Sequence, residues 1–255
     1  MGWLSAREPA GGTARGSRVE GIVQGRERAF NTRHHGTKLR SQDWAFRGKE
    51  TYNGAVFEFK RRVPEPMLTD APPRMSNLAE FRESDRITTL ELPDEAGLPG
   101  IARSIEAAMK SEQTAKVRRA CAEFLNIASQ FYQVPDCSVR VLTARPLRVR
   151  EQWTTELFGD YDPEAMLIRV WMRTAVRKEI TSFGTFLSTL CHEFCHHLDY
   201  QKFRFGDSWH TRGFYERAAV LYHHARGTPQ KHLFWAPMSG GRWRIDWPKT
   251  NRSIP

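Results

Sequence analysis

Cysteine is scarce in this chain of 255 residues, and long apolar runs are absent. The four cysteines are Cys121, Cys137, Cys191 and Cys195, and no two of them form a C-x-x-C pair. This pattern excludes a zinc ribbon and a dithiol redox motif, and it favours free buried thiols. No run approaches the roughly 18–20 apolar residues that cross a bilayer, and the N-terminus lacks the apolar core of a signal peptide. We therefore expect a cytoplasmic protein with no membrane partner.

Acidic residues are outnumbered by basic ones. The chain has 39 lysines and arginines against 29 aspartates and glutamates, which gives a formal net charge of +10. A basic balance favours a polyanion such as DNA as a partner, although a basic protein without such a partner has the same balance. Hydrophobic residues make up 40% of the chain, enough for a sizeable core.

Residues 1–80 lack both helical and strand periodicity of hydrophobic residues. They are rich in glycine, arginine, serine and proline, which predicts a disordered basic region with one weak strand near residues 55–59. One interpretation is a basic arm that touches nucleic acid. The other places the true start of the protein at Met67 or Met75. Order is expected from about Leu98.

Periodicity predicts an α+β domain over residues 98–230. Two amphipathic helices, near residues 98–109 and 117–131, precede strands at residues 138–144, 153–158 and 166–172. Turn residues at 159–163 join the last two strands in a hairpin. We expect helices packed on a small, mostly antiparallel sheet. The third strand comes immediately before the next helix and is our candidate for binding an extended peptide through its main chain.

Residues 231–255 form a C-terminal region in which arginine and tryptophan alternate after two glycines. This alternation predicts a terminal hairpin that packs on the domain or extends it. We favour an edge strand that buries Trp243, Ile245 and Trp247. The alternative is a surface on which single-stranded nucleic acid stacks.

Residues 189–196 contain an H-E-x-x-H motif, and the surrounding sequence predicts an amphipathic helix. His192 and His196 are one helical turn apart, so both imidazoles can reach one metal ion. Glu193 can polarise a water molecule without binding the metal itself. On a helical wheel the histidines lie opposite an apolar stripe formed by Phe183, Phe186, Leu187, Leu190, Phe194 and Leu198. His197 falls at the edge of that stripe, so we interpret it as a structural histidine.

A catalytic zinc ion usually has three protein ligands and an open fourth position. We expect His210 to be the third ligand, because imidazole binds zinc well and the 14-residue separation from His196 allows the next helix to fold back. Glu216 and Asp207, 20 and 11 residues after His196, are the alternatives. The longer H-E-x-x-H-x-x-G-x-x-H pattern is excluded, since Lys202 stands at its third histidine position.

The motif, the loop after it and the start of the next helix together resemble the SprT-like zinc metallopeptidase family, which includes Spartan-type proteases that act on DNA–protein crosslinks. The family pattern is H-E-x-x-H, a loop, then H-G-x-x-F. The matching residues here are His192, Glu193, His196, His210 and Phe214, while Thr211 stands where the family usually has glycine. The resemblance covers residues 98–227. It implies a zincin-like fold, one catalytic zinc ion and a protein or peptide substrate that is associated with DNA.

These residues predict a zinc-dependent endopeptidase. In this hypothesis His192, His196 and His210 hold one Zn²⁺, and Glu193 takes a proton from water and passes it to the leaving amine. Asp199 lies on the histidine side of the wheel, where its carboxylate could orient a ligand imidazole. Tyr215, next to Phe214, could stabilise an oxyanion or serve in packing.

A hypothesis from another class is a non-catalytic, zinc-containing nucleic-acid-binding protein on the same SprT-like scaffold. Its basic arm and its arginine- and tryptophan-rich tail would contact the nucleic acid. The presence of Glu193 favours the hypothesis of a peptidase over that of a non-catalytic protein, because metal binding alone does not need that carboxylate.

Overall fold

The computed structural model describes residues 43–44, 49–52, 55–58, 67–93, 97–150 and 153–252. Most of the basic region predicted for residues 1–80 lies outside the described residues. None of the helices in these ranges is long and apolar enough to cross a lipid bilayer.

The fold is α+β, as the sequence predicts. The helices are α1 (Leu78–Arg86), α2 (Leu98–Lys110), α3 (Thr114–Tyr132), α4 (Phe183–Gln201), α5 (Arg212–Arg226) and α6 (Trp247–Arg252), with a 3-10 helix at Ser239–Gly241. The strands are β1 (Asp43–Trp44), β2 (Lys49–Tyr52), β3 (Ala55–Glu58), β4 (Ser138–Ala144), β5 (Leu147–Arg150), β6 (Trp153–Leu157), β7 (Gly159–Asp162), β8 (Leu167–Arg173), β9 (Trp235–Pro237) and β10 (Trp243–Ile245).

The sheet beneath the helices is mixed, with strand order β4-β8-β7. β4 and β8 are parallel, whereas β7 and β8 are antiparallel. The prediction of a mostly antiparallel arrangement is therefore wrong for this sheet. Residue alternation does not encode strand direction, and residues 145–166 are long enough for the crossover that parallel neighbours require. The other described strands form antiparallel pairs: β2 with β3, β9 with β10, and β6 with both β1 and β5.

The hairpin that includes β8 is formed with β7, not with β6. Of the residues predicted as its turn, 159–163, the first four are themselves a strand. The turn follows at 163–166. Burial explains the difference, because Tyr161 is 2% exposed and so packs in the core despite its polar neighbours. β8 is the central strand, with both edges paired. It is therefore not the edge strand that could bind a substrate peptide.

The ordered domain begins well before the predicted Leu98. The Thr69 backbone N–H donates to the Trp243 carbonyl at 2.8 Å, and Leu68 forms a bridge with Arg244. α1 then packs against α5. The hydrophobic periodicity of α1 is weak, because Phe81 and Ser84 are its only buried residues. Tertiary contacts rather than amphipathicity therefore stabilise this helix.

The C-terminal region contains the predicted hairpin. β9 and β10 are antiparallel, with Trp243 opposite Pro237 and Ile245 opposite Trp235. Ile245 is buried, and the ring of Trp243 is covered by the guanidinium of Arg212 at 4.5 Å. These contacts support the edge-strand interpretation of the arginine and tryptophan alternation for Ile245 and, in part, for Trp243, which is only partly buried. The prediction is wrong for Trp247, which is partly buried and begins α6 instead of continuing the strand.

One hydrophobic core joins the helices to the mixed sheet. α4 contacts β7 and β8 on one side and α5 on the other, while α2 and α3 pack together beside them. The apolar stripe predicted on α4 is buried in this core, with Phe183 only partly buried at the start of the helix. The four cysteines are free and buried, as expected.

Candidate metal centre

α4 presents the H-E-x-x-H motif to the interior of the domain. The Ser182 hydroxyl caps the helix by accepting a hydrogen bond from the Thr185 backbone N–H at 3.1 Å. Every residue from Thr189 to Asp199 is buried, so both faces of the helix are covered. The apolar stripe meets the core, and the two histidines face α5.

Three imidazoles converge between α4 and α5. The Nε2 atom of His192 lies 3.1 Å from Nε2 of His196 and 3.1 Å from Nε2 of His210. All three histidines are buried, and within the described part of the chain they form the group that could hold a metal ion. Zinc binds imidazole nitrogen at about 2.0–2.1 Å, so two tetrahedral ligands would lie about 3.3 Å apart. The observed nitrogen separations fit such a site.

The protonation of these imidazoles also suits metal binding. Burial, followed by the proximity of His196 and His210, holds the pKa of His192 well below its usual value. Burial likewise lowers the pKa of His196, with smaller contributions from His210 and Arg217. Both rings are therefore neutral at neutral pH, and a neutral imidazole has a nitrogen lone pair for a metal.

A hydrogen-bonded chain orients His196. The Ser208 hydroxyl donates to Asp199 Oδ2 at 2.7 Å, so its oxygen can accept from Nδ1 of His196 at 2.6 Å. With the proton on Nδ1, Nε2 of His196 has its lone pair directed toward the other two histidines. Asp199 thus orients the His196 imidazole through Ser208 rather than directly. Arg217 donates to the other oxygen of Asp199 at 2.8 Å.

Asp70 plays the corresponding role for His210. Its Oδ2 atom accepts from the His210 backbone N–H at 3.0 Å and lies 3.4 Å from His210 Nδ1. The backbone of Asp70 also donates to the His210 carbonyl at 2.9 Å. Sequence reasoning missed this residue, because a single aspartate in a region without periodicity carries no recognisable signal.

The start of α5 fixes the third histidine. Thr211 caps this helix by accepting from the Phe214 backbone N–H at 3.0 Å, and its hydroxyl lies 3.0 Å from the Ser84 hydroxyl. Threonine is therefore suited to this position as a helix cap. The ring of Phe214 packs against all three imidazoles, with centroid distances of 4.5–5.2 Å. Phe214 supports the site by packing.

Glu193 lies beside the histidines and against β7. It is 3% exposed, and burial raises its pKa well above the usual value, with a further contribution from Asp160. A Cβ atom on Gly159 would lie 2.9 Å from Glu193 Oε1 and 2.5 Å from Thr189 Cγ2. Glycine is required here because these side chains occupy the space. An isolated glycine at a strand end is the sequence signal that could have revealed this close approach.

The other candidate site residues form hydrogen bonds away from the three histidines. Glu216 accepts from the Trp235 indole at 3.0 Å, and Asp207 accepts from Asn77 Nδ2 at 3.1 Å, so neither of these alternative ligands joins the three histidines. The Tyr215 hydroxyl donates to the Leu68 carbonyl at 3.1 Å, which fits a packing role.

His197 has the structural role expected of it. It is buried, and its two ring nitrogens lie 2.8 Å from the Tyr161 hydroxyl and 2.8 Å from the Pro135 carbonyl.

A cavity of about 570 Å³ adjoins the histidines, and we call it the α4–α5 cavity. It lies between those two helices and the C-terminal region, and its lining includes His192.

Comparison of the chain with protein-family models, curated proteins and solved structures found no match. Functional inference therefore rests on the site itself.

Proposed function

We propose that this protein is a zinc-dependent endopeptidase with its catalytic centre at His192, Glu193, His196 and His210. The observation that supports the proposal is the convergence of three buried imidazoles beside a buried glutamate. Three nitrogen ligands leave a fourth position for water or substrate, as in catalytic rather than structural zinc sites. Imidazole also binds other divalent metals, so zinc is the proposed ion on the basis of ligand type and number.

When bound, zinc supplies Lewis-acid chemistry, since it lowers the pKa of water and polarises a carbonyl group. His192, His196 and His210 would hold the ion. Glu193 accepts the proton of the attacking water and delivers it to the amine that leaves. Burial of this carboxylate raises its pKa, which favours proton uptake.

A substrate peptide would bind along an edge strand near Glu193. β7 is at the edge of the mixed sheet, and its first residue, Gly159, lies against Glu193. Main-chain hydrogen bonds to β7 would hold an extended peptide without demanding a particular sequence. In this proposal β7 takes the role that the sequence assigned to β8.

The substrate is proposed to be a protein associated with DNA. The formal charge of +10 supports this proposal, as does the resemblance of the histidine motifs to SprT-like proteases. Addition of single-stranded DNA should increase cleavage of a DNA-bound protein and should have little effect on cleavage of a free unfolded protein.

The competing function is zinc-dependent binding of nucleic acid without catalysis. Glu193 argues against it, because a buried carboxylate with a raised pKa is costly and contributes nothing to metal binding by three histidines. The contacts of Trp243 also favour a packing role over a stacking surface.

The test compares wild-type protein with the Glu193→Gln variant on an unfolded protein such as casein, with metal content measured in both. We expect both to bind one zinc ion and only the wild type to cleave, with activity at least about 100-fold lower in the variant. Glu123→Gln, a matched change on the exposed face of α3, should leave activity unchanged. Stoichiometric zinc with no cleavage by the wild type, but with DNA binding, would support the non-catalytic function instead.

A further inference from the structure

The α4–α5 cavity extends from the protein surface to the metal centre. Its lining includes the exposed residues Arg226 and Thr228 as well as the buried residues Leu233 and His192. A volume of about 570 Å³ is within the range of ligand sites in proteins, and it exceeds the volume of one large side chain.

Both helices present a continuous face to this cavity. On α4, Thr185 and Ser188 precede His192 at successive helical turns, so the face that carries His192 continues along the cavity wall. On α5 the lining residues follow the same periodicity: Tyr215, Ala218, Ala219, Tyr222 and Arg226. A group bound in the cavity would therefore lie directly beside the proposed zinc ligand His192.

Most of the cavity wall is apolar. Its lining combines aromatic and aliphatic side chains from three parts of the chain, namely Met67, Tyr215, Tyr222, Leu233, Ile245 and Trp247. Such a lining favours a large aliphatic or aromatic group, because burial of its surface removes apolar area from water.

The cavity wall also carries positive charge. Arg226 and Lys231 line the cavity, and the lining contains no aspartate or glutamate. The Arg226 guanidinium lies over the Phe183 ring at 5.2 Å, and Lys231 donates to Asn251 Oδ1 at 3.2 Å. Within the described ranges neither cation forms an ion pair with a carboxylate, so both remain available to an anionic group of a ligand.

We propose that the α4–α5 cavity is a substrate subsite for a large apolar side chain adjacent to a carboxylate. This inference rests on the proposed peptidase function and names the sequence preference of its site. The apolar side chain enters between α4 and α5 next to His192, and the carboxylate meets Arg226 and Lys231 at the mouth. That carboxylate comes either from an acidic residue next to the apolar one or from a free C-terminus.

Peptide binding to the zinc-loaded, full-length Glu193→Gln variant tests the subsite without hydrolysis. Fluorescence anisotropy would compare labelled peptides that contain Phe-Glu, Phe-Gln or Ala-Glu, and peptides that end in phenylalanine as the free acid or the amide. We expect Phe-Glu to bind at least 10-fold more tightly than Ala-Glu and several-fold more tightly than Phe-Gln. A preference for the free acid over the amide identifies the C-terminus as the carboxylate source, whereas a preference for Phe-Glu alone identifies an acidic side chain.

Two substitutions connect this selectivity to the cavity. Ala219→Leu adds volume inside the cavity and should weaken Phe-Glu binding at least 10-fold while Ala-Glu binding changes little. Arg226→Gln should remove most of the preference for the carboxylate. Ala107→Leu and Arg103→Gln, the same changes on the exposed surface of α2, should leave both preferences intact.

The outcomes separate the subsite from the catalytic function. Equal binding of Phe-Glu and Ala-Glu, or unchanged Phe-Glu binding in Ala219→Leu, would overturn the subsite even if the wild type cleaves protein. Selective binding by the Glu193→Gln variant without any cleavage by the wild type would overturn the peptidase function and keep the cavity as a binding site.

Discussion

Asp70 and His210 are joined by one backbone–backbone hydrogen bond, by a hydrogen bond from the His210 backbone N–H to the Asp70 carboxylate, and by one side-chain contact, although 140 residues separate them in the sequence. One carboxylate oxygen of Asp70 accepts from the His210 backbone and faces its Nδ1 atom. A carboxylate 3.4 Å from Nδ1 favours the imidazole tautomer that carries its proton on Nδ1 and leaves Nε2 free of a proton. The segment before α1 is thus part of the candidate metal centre.

Replacement of Asp70 should weaken metal binding more than it weakens the fold. We expect Asp70→Asn to reduce zinc affinity about 10- to 100-fold, the usual cost of removing the hydrogen-bond partner of a ligand histidine. Competition with a chromogenic chelator measures this affinity. Asp136→Asn, an exposed matched change, serves as the control. Equal zinc affinity of the Asp70 variant and the wild type would show that Asp70 does not orient the ligand.

Gly159 should be intolerant of a side chain because of Glu193 and Thr189. We expect Gly159→Ala to displace the Glu193 carboxylate and reduce hydrolysis at least about 10-fold, while one zinc ion still binds. Assays of kcat/KM and metal content on the same samples check both parts.

A double variant separates the two contacts. Thr189→Ala in the Gly159→Ala background removes the methyl group at 2.5 Å and leaves the contact with Glu193. If this double variant recovers full activity, the effect comes from Thr189 and not from Glu193. Gly100→Ala is the control, since only Arg103 lies within 4 Å of its added Cβ.

The sequence predicted which residues come together at the site better than it predicted the residues that support them. The H-E-x-x-H spacing and the apolar stripe of α4 are enough to predict which side of the helix carries the two histidines and the glutamate. This is because the direction of a side chain on a helix depends only on its position along that helix. His210 was preferred from ligand chemistry, and the fold brings it to the pair. Asp70 and Arg217 were missed, since each acts through contacts with distant segments that no local pattern encodes.

The errors in the predicted fold also come from contacts between distant segments and from misleading local patterns. Strand direction in the mixed sheet depends on the crossover between β4 and β8, which periodicity does not reveal. α1 has only two buried residues, Phe81 and Ser84, and it is stabilised by α5. β7 was read as a turn because its sequence, Gly-Asp-Tyr-Asp, is rich in turn-forming residues.

Breaking the buried ion pair of Arg217 and Asp199 should destabilise the protein more than breaking the neighbouring pair of Arg212 and Asp85. The side chains of the first pair are 1% and 0% exposed, against 36% and 21% in the second. We expect Arg217→Met to cost about 3–5 kcal/mol in the free energy of unfolding, because Asp199 is left buried without a cationic partner and the Ser84 and Ile87 carbonyls lose their donor. Arg212→Met should cost about 0–1 kcal/mol.

Urea denaturation of the two arginine variants measures both costs. Equal destabilisation by the two substitutions would contradict the role assigned to burial. The Arg217 variant should also bind zinc more weakly, because Asp199 supports Ser208 and, through it, His196.

Stability should fall in mild acid partly because of His223. Partial burial, and then Lys231 and Arg226, lower its pKa below the usual value. As the pH falls, His223 takes up a proton in the unfolded state first, near pH 6.5. The contribution of neutral His223 to the free energy of unfolding is therefore complete above that pH, and it is lost as the pH falls toward the pKa of His223 in the folded state. The free energy of unfolding should decrease less between pH 7.5 and 5.5 in His223→Gln than in the wild type. If the free energy of unfolding changes with pH to the same extent in both proteins, the prediction is contradicted.

A zinc titration of the metal-free protein, with hydrolysis of unfolded casein followed at each step, tests the central claim most directly. We predict no cleavage without metal, a linear rise to a plateau at one equivalent of zinc, and no rise in His196→Ala or His210→Ala. Cleavage that is independent of added zinc, or full zinc loading of the wild type without cleavage, would contradict the assignment of this site as a zinc peptidase centre.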